Sequence, residues 1–93
     1  MTEEILSTLK ETVNHEQALW RAVILQAFID LKNNSKKKIA NTYRVKATLW
    51  FNMKNNDFLK VCEYANLDPQ YVWEMAEKEK DKNYLKIHLK NAI

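Results

Sequence analysis

The sequence contains no glycine and a single proline among its 93 residues. A sheet-rich fold of this length would need several tight turns, and such turns rely on those two residues. Long helices need neither, and the apolar fraction of 46% is enough for an ordinary core. The composition therefore predicts an all-α fold. Because so short a chain cannot build a second hydrophobic core, residues 1–93 are expected to form one domain.

Other residue types that are rare in the sequence exclude several kinds of functional site. A lone cysteine, Cys62, cannot form an internal disulfide, and no apolar run is long enough to span a bilayer. Glu3 and Glu4 stand where a signal peptide would be basic, so a cytoplasmic protein is expected. Without glycine there is no phosphate-cradling loop, and one Cys with two distant His gives no zinc spacing. We expect no enzyme, no metal and no cofactor.

Apolar spacing and capping signals predict a small bundle of five to six helices. The first helix is expected from Glu3 to about Val13. Asn14 and Gln17 resemble a capping box that starts the second helix. Residues 18–31 of that helix are apolar almost all round, broken only by Arg21, Gln26 and Asp30. Such a helix is either the centre of the bundle or part of a homodimer interface.

The later helices carry sharper start signals. The third is expected from about Lys36 to Met53, with an apolar stripe made of Ile39, Tyr43, Ala47, Trp50 and Met53. Asn56 or Asp57 should cap the fourth helix. Asp68-Pro69 combines an N-cap with a proline at the first position of the fifth helix. After the charged run Glu77–Lys82, a separate amphipathic piece is expected to hold Tyr84, Leu85, Ile87 and Leu89.

The segment from Asp57 to Lys78 resembles a DNA-binding helix-turn-helix. Cys62 stands at the small residue of its first helix and is expected to be a buried hydrophobe. Asn66 corresponds to the turn residue and Leu67 to the apolar residue that follows it. Asp68 corresponds to the cap of the second helix, and Val72 to its buried branched residue. Two features depart from the motif, since Asn replaces the usual turn glycine and Pro69 removes a backbone donor. The alternative is a helical hairpin packed only for stability.

Conventional docking of this motif would bring the second helix into the major groove. Gln70, Tyr71 and Glu74 would then face the bases, with Lys78 towards the backbone. Glutamine can read adenine through two hydrogen bonds, a pair that discriminates by ~1–3 kcal/mol. The carboxylates of this helix oppose docking, because phosphates repel them; they are Glu74, Glu77 and Glu79.

Positive charge is concentrated in the middle third of the chain. Residues 31–60 contain eight basic groups and one acid, Asp57, whereas the first 30 residues contain two basic and five acidic groups. A clustered excess of this kind is typical of a protein that binds a polyanion. The expected phosphate contacts are Lys36, Lys37, Lys38, Arg44, Lys46, Lys54 and Lys60. A solvated lysine-rich surface is the alternative.

A wider resemblance covers roughly residues 18–73. It rests on Trp20-Arg21-Ala22-Val23, Gln26-Ala27, Asp30, Trp50, Asp57-Phe58, Val61-Cys62, Ala65 and Leu67-Asp68-Pro69. In these residues the chain resembles a group of short helical proteins of bacteriophages and alphaproteobacteria, including obligate intracellular ones. The resemblance implies a phage-derived or regulatory DNA-binding role, akin to the DNA-binding part of gene-transfer-agent activators.

Together these patterns predict a small transcriptional regulator that binds double-stranded DNA, in a sequence-specific or architectural manner. A homodimer through the 18–31 helix would add affinity by engaging two half-sites. Two alternatives stay open. One is a protein-interaction adaptor that engages RNA polymerase or another regulator, and the other is a small phage packaging or structural component.

Overall fold

The computed structural model describes residues 3–11, 13–33 and 37–91, with 81–91 as backbone alone. Over these residues the chain forms five α-helices and no strand. The helices are α1 (Glu3–Lys10), α2 (His15–Lys32), α3 (Lys38–Trp50), α4 (Asn56–Tyr64) and α5 (Pro69–Asn91). The all-α prediction is confirmed. The prediction of a separate final helix is wrong, because residues 77–91 contain no helix-breaking Gly or Pro and α5 continues through them.

Helix α2 lies at the centre of the bundle and contacts each of the other four helices. Its buried residues recur every three or four positions and are Gln17, Arg21, Ile24, Phe28 and Leu31. The Asn14 side chain accepts the Gln17 backbone N–H at 2.8 Å, and Gln17 Oε1 accepts the N–H of Val13 at 2.8 Å. The Asn14 bond is the N-cap half of the predicted capping box, whereas Gln17 accepts from Val13, one residue before the cap, instead of from Asn14 itself. Of the two alternatives predicted for this helix, the structure shows the central position.

Three phenylalanine rings fill the middle of the core. Phe28 lies 4.8 Å from Phe51 between ring centroids, and Phe51 lies 5.9 Å from Phe58. Their tilted and edge-on geometries are those that aromatic pairs prefer. The rings come from α2, from the residue after α3 and from α4, so they join three elements that are distant in sequence.

Helix α3 is shorter than predicted and is rotated relative to the predicted stripe. It buries Ala40 and Ala47, whereas Ile39 and Tyr43 are exposed. The chain leaves the helical conformation at Phe51 (φ −73°, ψ 72°), which places that ring in the core. Because the contact with α2 is made through small alanines, the larger neighbours on α3 remain at the surface.

Helix α1 ends at Lys10, three residues before the predicted end. Val13 is 87% exposed, and its backbone N–H bonds to the Gln17 side chain at the start of α2. Ile5 and Leu9 are the buried residues of α1. The short helix therefore packs through two side chains one turn apart, as their spacing predicts.

Candidate nucleic-acid interface

The turn between α4 and α5 is set by a single left-handed residue. Asn66 has φ 57°, a conformation that asparagine tolerates better than most residues. The N–H of Asn66 bonds to the Glu63 carbonyl at 3.0 Å, and the N–H of Leu67 bonds to the Cys62 carbonyl at 2.9 Å. These two bonds form a Schellman motif and satisfy the last carbonyls of α4. The predicted positive-φ turn at Asn66 is confirmed.

Helix α5 begins where the sequence predicts. Asp68 Oδ1 accepts the N–H of Gln70 at 3.1 Å, and the Asp68 carbonyl accepts the N–H of Val72 at 3.1 Å. Pro69 occupies the first helical position, where its missing N–H costs no intrahelical bond. The start of this helix is therefore sharp, and it leaves four residues between the end of α4 and Pro69.

Helix α4 is capped one residue earlier than predicted. The Asn55 side chain accepts the N–H groups of Asp57 at 2.9 Å and Phe58 at 3.3 Å. Asp57 instead uses Oδ2 to accept the indole N–H of Trp50 at 2.6 Å. Because that carboxylate is turned towards α3, it joins the end of α3 to the start of α4 rather than capping the helix.

Arg21 holds the hairpin turn against the rest of the bundle, a role that the sequence did not indicate. Its side chain is 7% exposed. Nε donates to the Ala65 carbonyl at 2.9 Å, and Nη1 donates to the carbonyls of Thr8, at 2.5 Å, and Glu11. These carbonyls lie at the C-terminal ends of α1 and α4, where the helix dipoles favour a cation. A lone arginine within an apolar helix was the only signal of this contact.

The buried face of the hairpin includes Cys62 and Val72, the two positions that the motif predicts to be buried. Its fully or nearly fully buried side chains are Phe58, Val61, Cys62, Ala65, Val72, Met75 and Ala76. Burial, and to a lesser extent the charge of Asp68, raises the pKa of the Cys62 thiol to about 12. The thiol is therefore protonated near neutral pH and behaves as a small buried hydrophobe, as predicted.

Three of the predicted DNA-contacting residues share the outer face of α5. Gln70, Glu74 and Lys78 are all exposed and follow one another at intervals of four residues. Gln70 Nε2 donates to Glu74 Oε1 at 3.0 Å. The amide predicted to read a base is therefore bonded to a neighbouring carboxylate in the free protein.

Tyr71 and Glu79 lie elsewhere on α5. Tyr71 is half-buried and packs against the core. Burial raises the pKa of the Tyr71 phenol. A hydrogen bond with Thr8 of α1 lowers this pKa, and Glu4 of the same helix raises it through its charge and through a hydrogen bond. Glu79, expected in an exposed charged run, is 2% exposed. The outer face of α5 thus loses one predicted base contact and one of the carboxylates that oppose docking.

The predicted phosphate contacts fall into two groups. The exposed lysines are Lys37, Lys38, Lys46, Lys54 and Lys60. Arg44 is half-buried, and it donates to the Asn33 carbonyl at 2.8 Å and to the side chain of Asn41. Lys36 lies outside the described residues. Because α3 begins at Lys38, with Lys37 as its N-cap, the lysine triplet mostly precedes the first turn instead of filling it.

No family model, curated protein or solved structure matches this chain. Across the described helices, none combines the length and apolar character needed to cross a membrane. The same residues contain no group of three or more His, Cys, Asp or Glu side chains that could hold a metal ion.

Proposed function

We propose that the protein is a small transcriptional regulator that binds double-stranded DNA, in a sequence-specific or architectural manner. The observation that carries the proposal is the set of exposed lysines on α3, on α4 and in the turn that joins them. The only acid of residues 31–60 is Asp57, and its carboxylate is held by Trp50. A surface with this charge attracts the phosphate backbone and releases counterions when it binds.

In this proposal the α4–α5 hairpin acts as a helix-turn-helix. Its support is the Schellman turn at Asn66 together with the sharp start of α5 at Asp68-Pro69. Gln70 and Lys78 lie on the outer face of α5, where a recognition helix presents its side chains. The Gln70–Glu74 bond must open before the amide can pair with adenine. Phosphate contacts would therefore come mainly from the lysines of α3 and α4.

In this proposal the roles of Arg44 and Tyr71 differ from those predicted from the sequence. Arg44 uses two of its guanidinium donors within the protein, and the remaining N–H groups are sufficient for one phosphate. Tyr71 packs towards α1, so it positions α5 and contributes no base contact. The resemblance stated above supports the same regulatory role, because its residues include buried positions of α4 and the Asp68-Pro69 start of α5.

Titration of a labelled duplex at several salt concentrations tests the proposal. Affinity should fall steeply as salt rises, with a log–log slope of about −0.9 for each phosphate neutralised. Lys60→Gln should weaken binding to every sequence and make that slope shallower by about one. Lys10→Gln is the matched control, since Lys10 is exposed on α1 and lies outside the 31–60 segment that carries the excess of positive charge. Absence of binding at low salt would refute DNA binding.

The 18–31 helix provides the homodimer contact in this proposal. Small helix-turn-helix proteins gain affinity when two copies occupy half-sites about one helical turn apart. The apolar outer face of α2 supports such a contact, and its interface is developed in the next subsection.

The carboxylates of α5 favour a second candidate function, a protein-interaction adaptor. Glu74 is exposed, and Glu77 is half-buried and paired with Lys80 at 2.7 Å. Such a surface suits a basic protein partner, for instance RNA polymerase or another regulator, better than it suits phosphates. A pull-down that recovers one stoichiometric protein, with no shift of duplex DNA, would favour the adaptor. A large defined oligomer in solution would instead favour a phage packaging or structural component.

A further inference from the structure

Between Gln17 and Ile29 the outward face of α2 exposes mainly apolar residues and no charge, with Glu16 and Asp30 just outside this stretch. Between Gln17 and Ile29, a stretch that the structure describes completely, the exposed residues are Leu19, Ala22, Val23, Gln26 and Ile29. They follow the three- and four-residue spacing of one helix face. The only charged residue in that stretch is Arg21, and its guanidinium is buried against backbone carbonyls. Because Arg21 is buried, this stretch of about four turns of α2 has no exposed charge.

Helix α3 extends this surface on one side. Val23 and Ala27 of α2 line a groove with Tyr43 and Trp50 of α3. Ile39 lies one turn before Tyr43, and both are exposed. An apolar surface that spans two helices in this way is typical of an interaction site.

The charges at the edge of the groove are balanced. Asp30 and Lys46 both line it, so each copy of the chain presents one acid and one base there. In a two-fold dimer the same patch meets itself, and opposite charges can then face one another across the axis. Such a face is poorly suited to DNA, because it offers no net positive charge to the phosphates.

We propose that a second copy of this chain covers the outward face of α2, with the two α2 helices antiparallel and the two-fold axis close to Val23 and Gln26. In this arrangement Leu19 of one copy lies close to Ile29 of the other, because the two residues are at similar distances from the axis. Gln26 lies at the centre of the stripe and donates to Asp30 at 3.0 Å. A single polar residue at the centre of an apolar seam fixes the register of the two helices.

The size of the face determines the strength expected of the dimer. With its 18 residues, α2 is about 27 Å long, and two adjacent helices present a width of about 18 Å. The surface area that such a face would bury is at the lower end of the range found for specific protein–protein interfaces. We therefore expect dimerisation that depends on protein concentration. The interface is tested without DNA, so the proposal and the proposed DNA binding can fail independently.

Analytical ultracentrifugation of Leu19→Glu and Leu49→Glu provides the first test. The two leucines are matched in exposure, at 60% and 68%, but Leu49 faces the groove between α3 and α5. We expect Leu19→Glu to raise the dimer dissociation constant about tenfold or more, because it buries an unpaired carboxylate at the seam. Leu49→Glu should stay within about twofold of the wild type. Circular dichroism checks that both variants keep their helical content.

Thiol cross-linking provides a second test that does not depend on a destabilising charge. Val23→Cys should form covalent dimers with a short bis-maleimide, whereas Leu49→Cys and the wild type should not. Background from Cys62 is expected to be low, since its thiol is buried. A wild-type protein that stays monomeric at high concentration would refute the proposal. So would dissociation by Leu49→Glu alone, or capture of this face by a different protein while the chain itself is monomeric.

Discussion

The side chain of Arg21 and the backbone of Ala65 are joined by a 2.9 Å hydrogen bond across 44 residues of sequence. Through this bond the central helix α2 holds the last turn of α4, and the same guanidinium holds the end of α1. Since the Schellman turn begins immediately after Ala65, Arg21 supports the geometry of the whole α4–α5 hairpin. The predictions below start from this contact.

Replacement of Arg21 by methionine should destabilise the protein. Methionine keeps an unbranched apolar stem like that of arginine, but it cannot donate to the three carbonyls that Arg21 satisfies. Unpaired buried acceptors cost about 1–3 kcal/mol, so we expect a loss of that size in the free energy of unfolding. Urea denaturation followed by circular dichroism measures it, with Lys10→Met as the exposed control. An unchanged denaturation midpoint would mean that the carbonyls find water instead.

Replacement of Asn66 should have opposite effects depending on the new side chain. Because its φ is 57°, Asn66→Ala should lower the free energy of unfolding by about 1 kcal/mol. Asn66→Gly should be neutral or slightly stabilising, since glycine adopts this conformation without a steric penalty. Denaturation curves of both variants decide the matter. Equal destabilisation by alanine and glycine would show that the asparagine side chain itself matters.

Cys62 should make the stability of the protein depend on pH in the alkaline range. Its pKa is raised from 9.0 to about 12 in the folded state, so the folded protein binds the proton more tightly than the unfolded chain does. The protonated thiol therefore contributes stability that is fully present below pH 9.0 and is lost as the pH rises towards about 12. Denaturation of the wild type and of Cys62→Ala across this range provides the comparison.

The wild type should lose more stability than Cys62→Ala between these pH values, and the difference between them is the contribution of the thiol. Ellman's reagent gives an independent readout, because a buried, protonated thiol reacts slowly until the protein unfolds. Rapid reaction in native buffer would contradict the buried position of Cys62.

Glu74→Gln should strengthen DNA binding if the outer face of α5 approaches the duplex. The change removes a carboxylate that repels phosphates, and the new amide keeps an acceptor for Gln70. Gln70→Ala should alter the preferred sequence and leave the salt dependence nearly unchanged, because it removes a base contact and no charge. Binding assays with a panel of duplexes measure both effects.

The control for these two variants is Glu63→Gln, which removes an exposed carboxylate from α4 instead of from α5. If Glu63→Gln strengthens binding as much as Glu74→Gln does, the effect comes from net charge alone. In that case α5 does not act as a recognition helix, although the lysine surface still accounts for DNA binding.

Local signals in the sequence were sufficient to predict the starts of α2 and α5 and the turn of the hairpin. The capping box at Asn14, the left-handed turn at Asn66 and the start at Pro69 all depend on hydrogen bonds between residues at most five positions apart. Backbone groups at a helix end must be satisfied nearby, so the residues that satisfy them are visible in sequence. The absence of glycine predicted the all-helical fold, because it excluded sheet-rich folds that depend on tight turns.

Tertiary packing decided what each helix presents to its surroundings. Arg21 breaks an apolar run and Glu79 lies in a charged run, yet both are buried. Ile39 and Tyr43 continue an apolar stripe but are exposed, because α3 packs through its alanines and turns them outward. Periodicity identifies a face of a helix, but only contacts with other helices determine which face is covered. Those contacts made the apolar α2 a central helix whose exposed surface between Gln17 and Ile29 carries no charge.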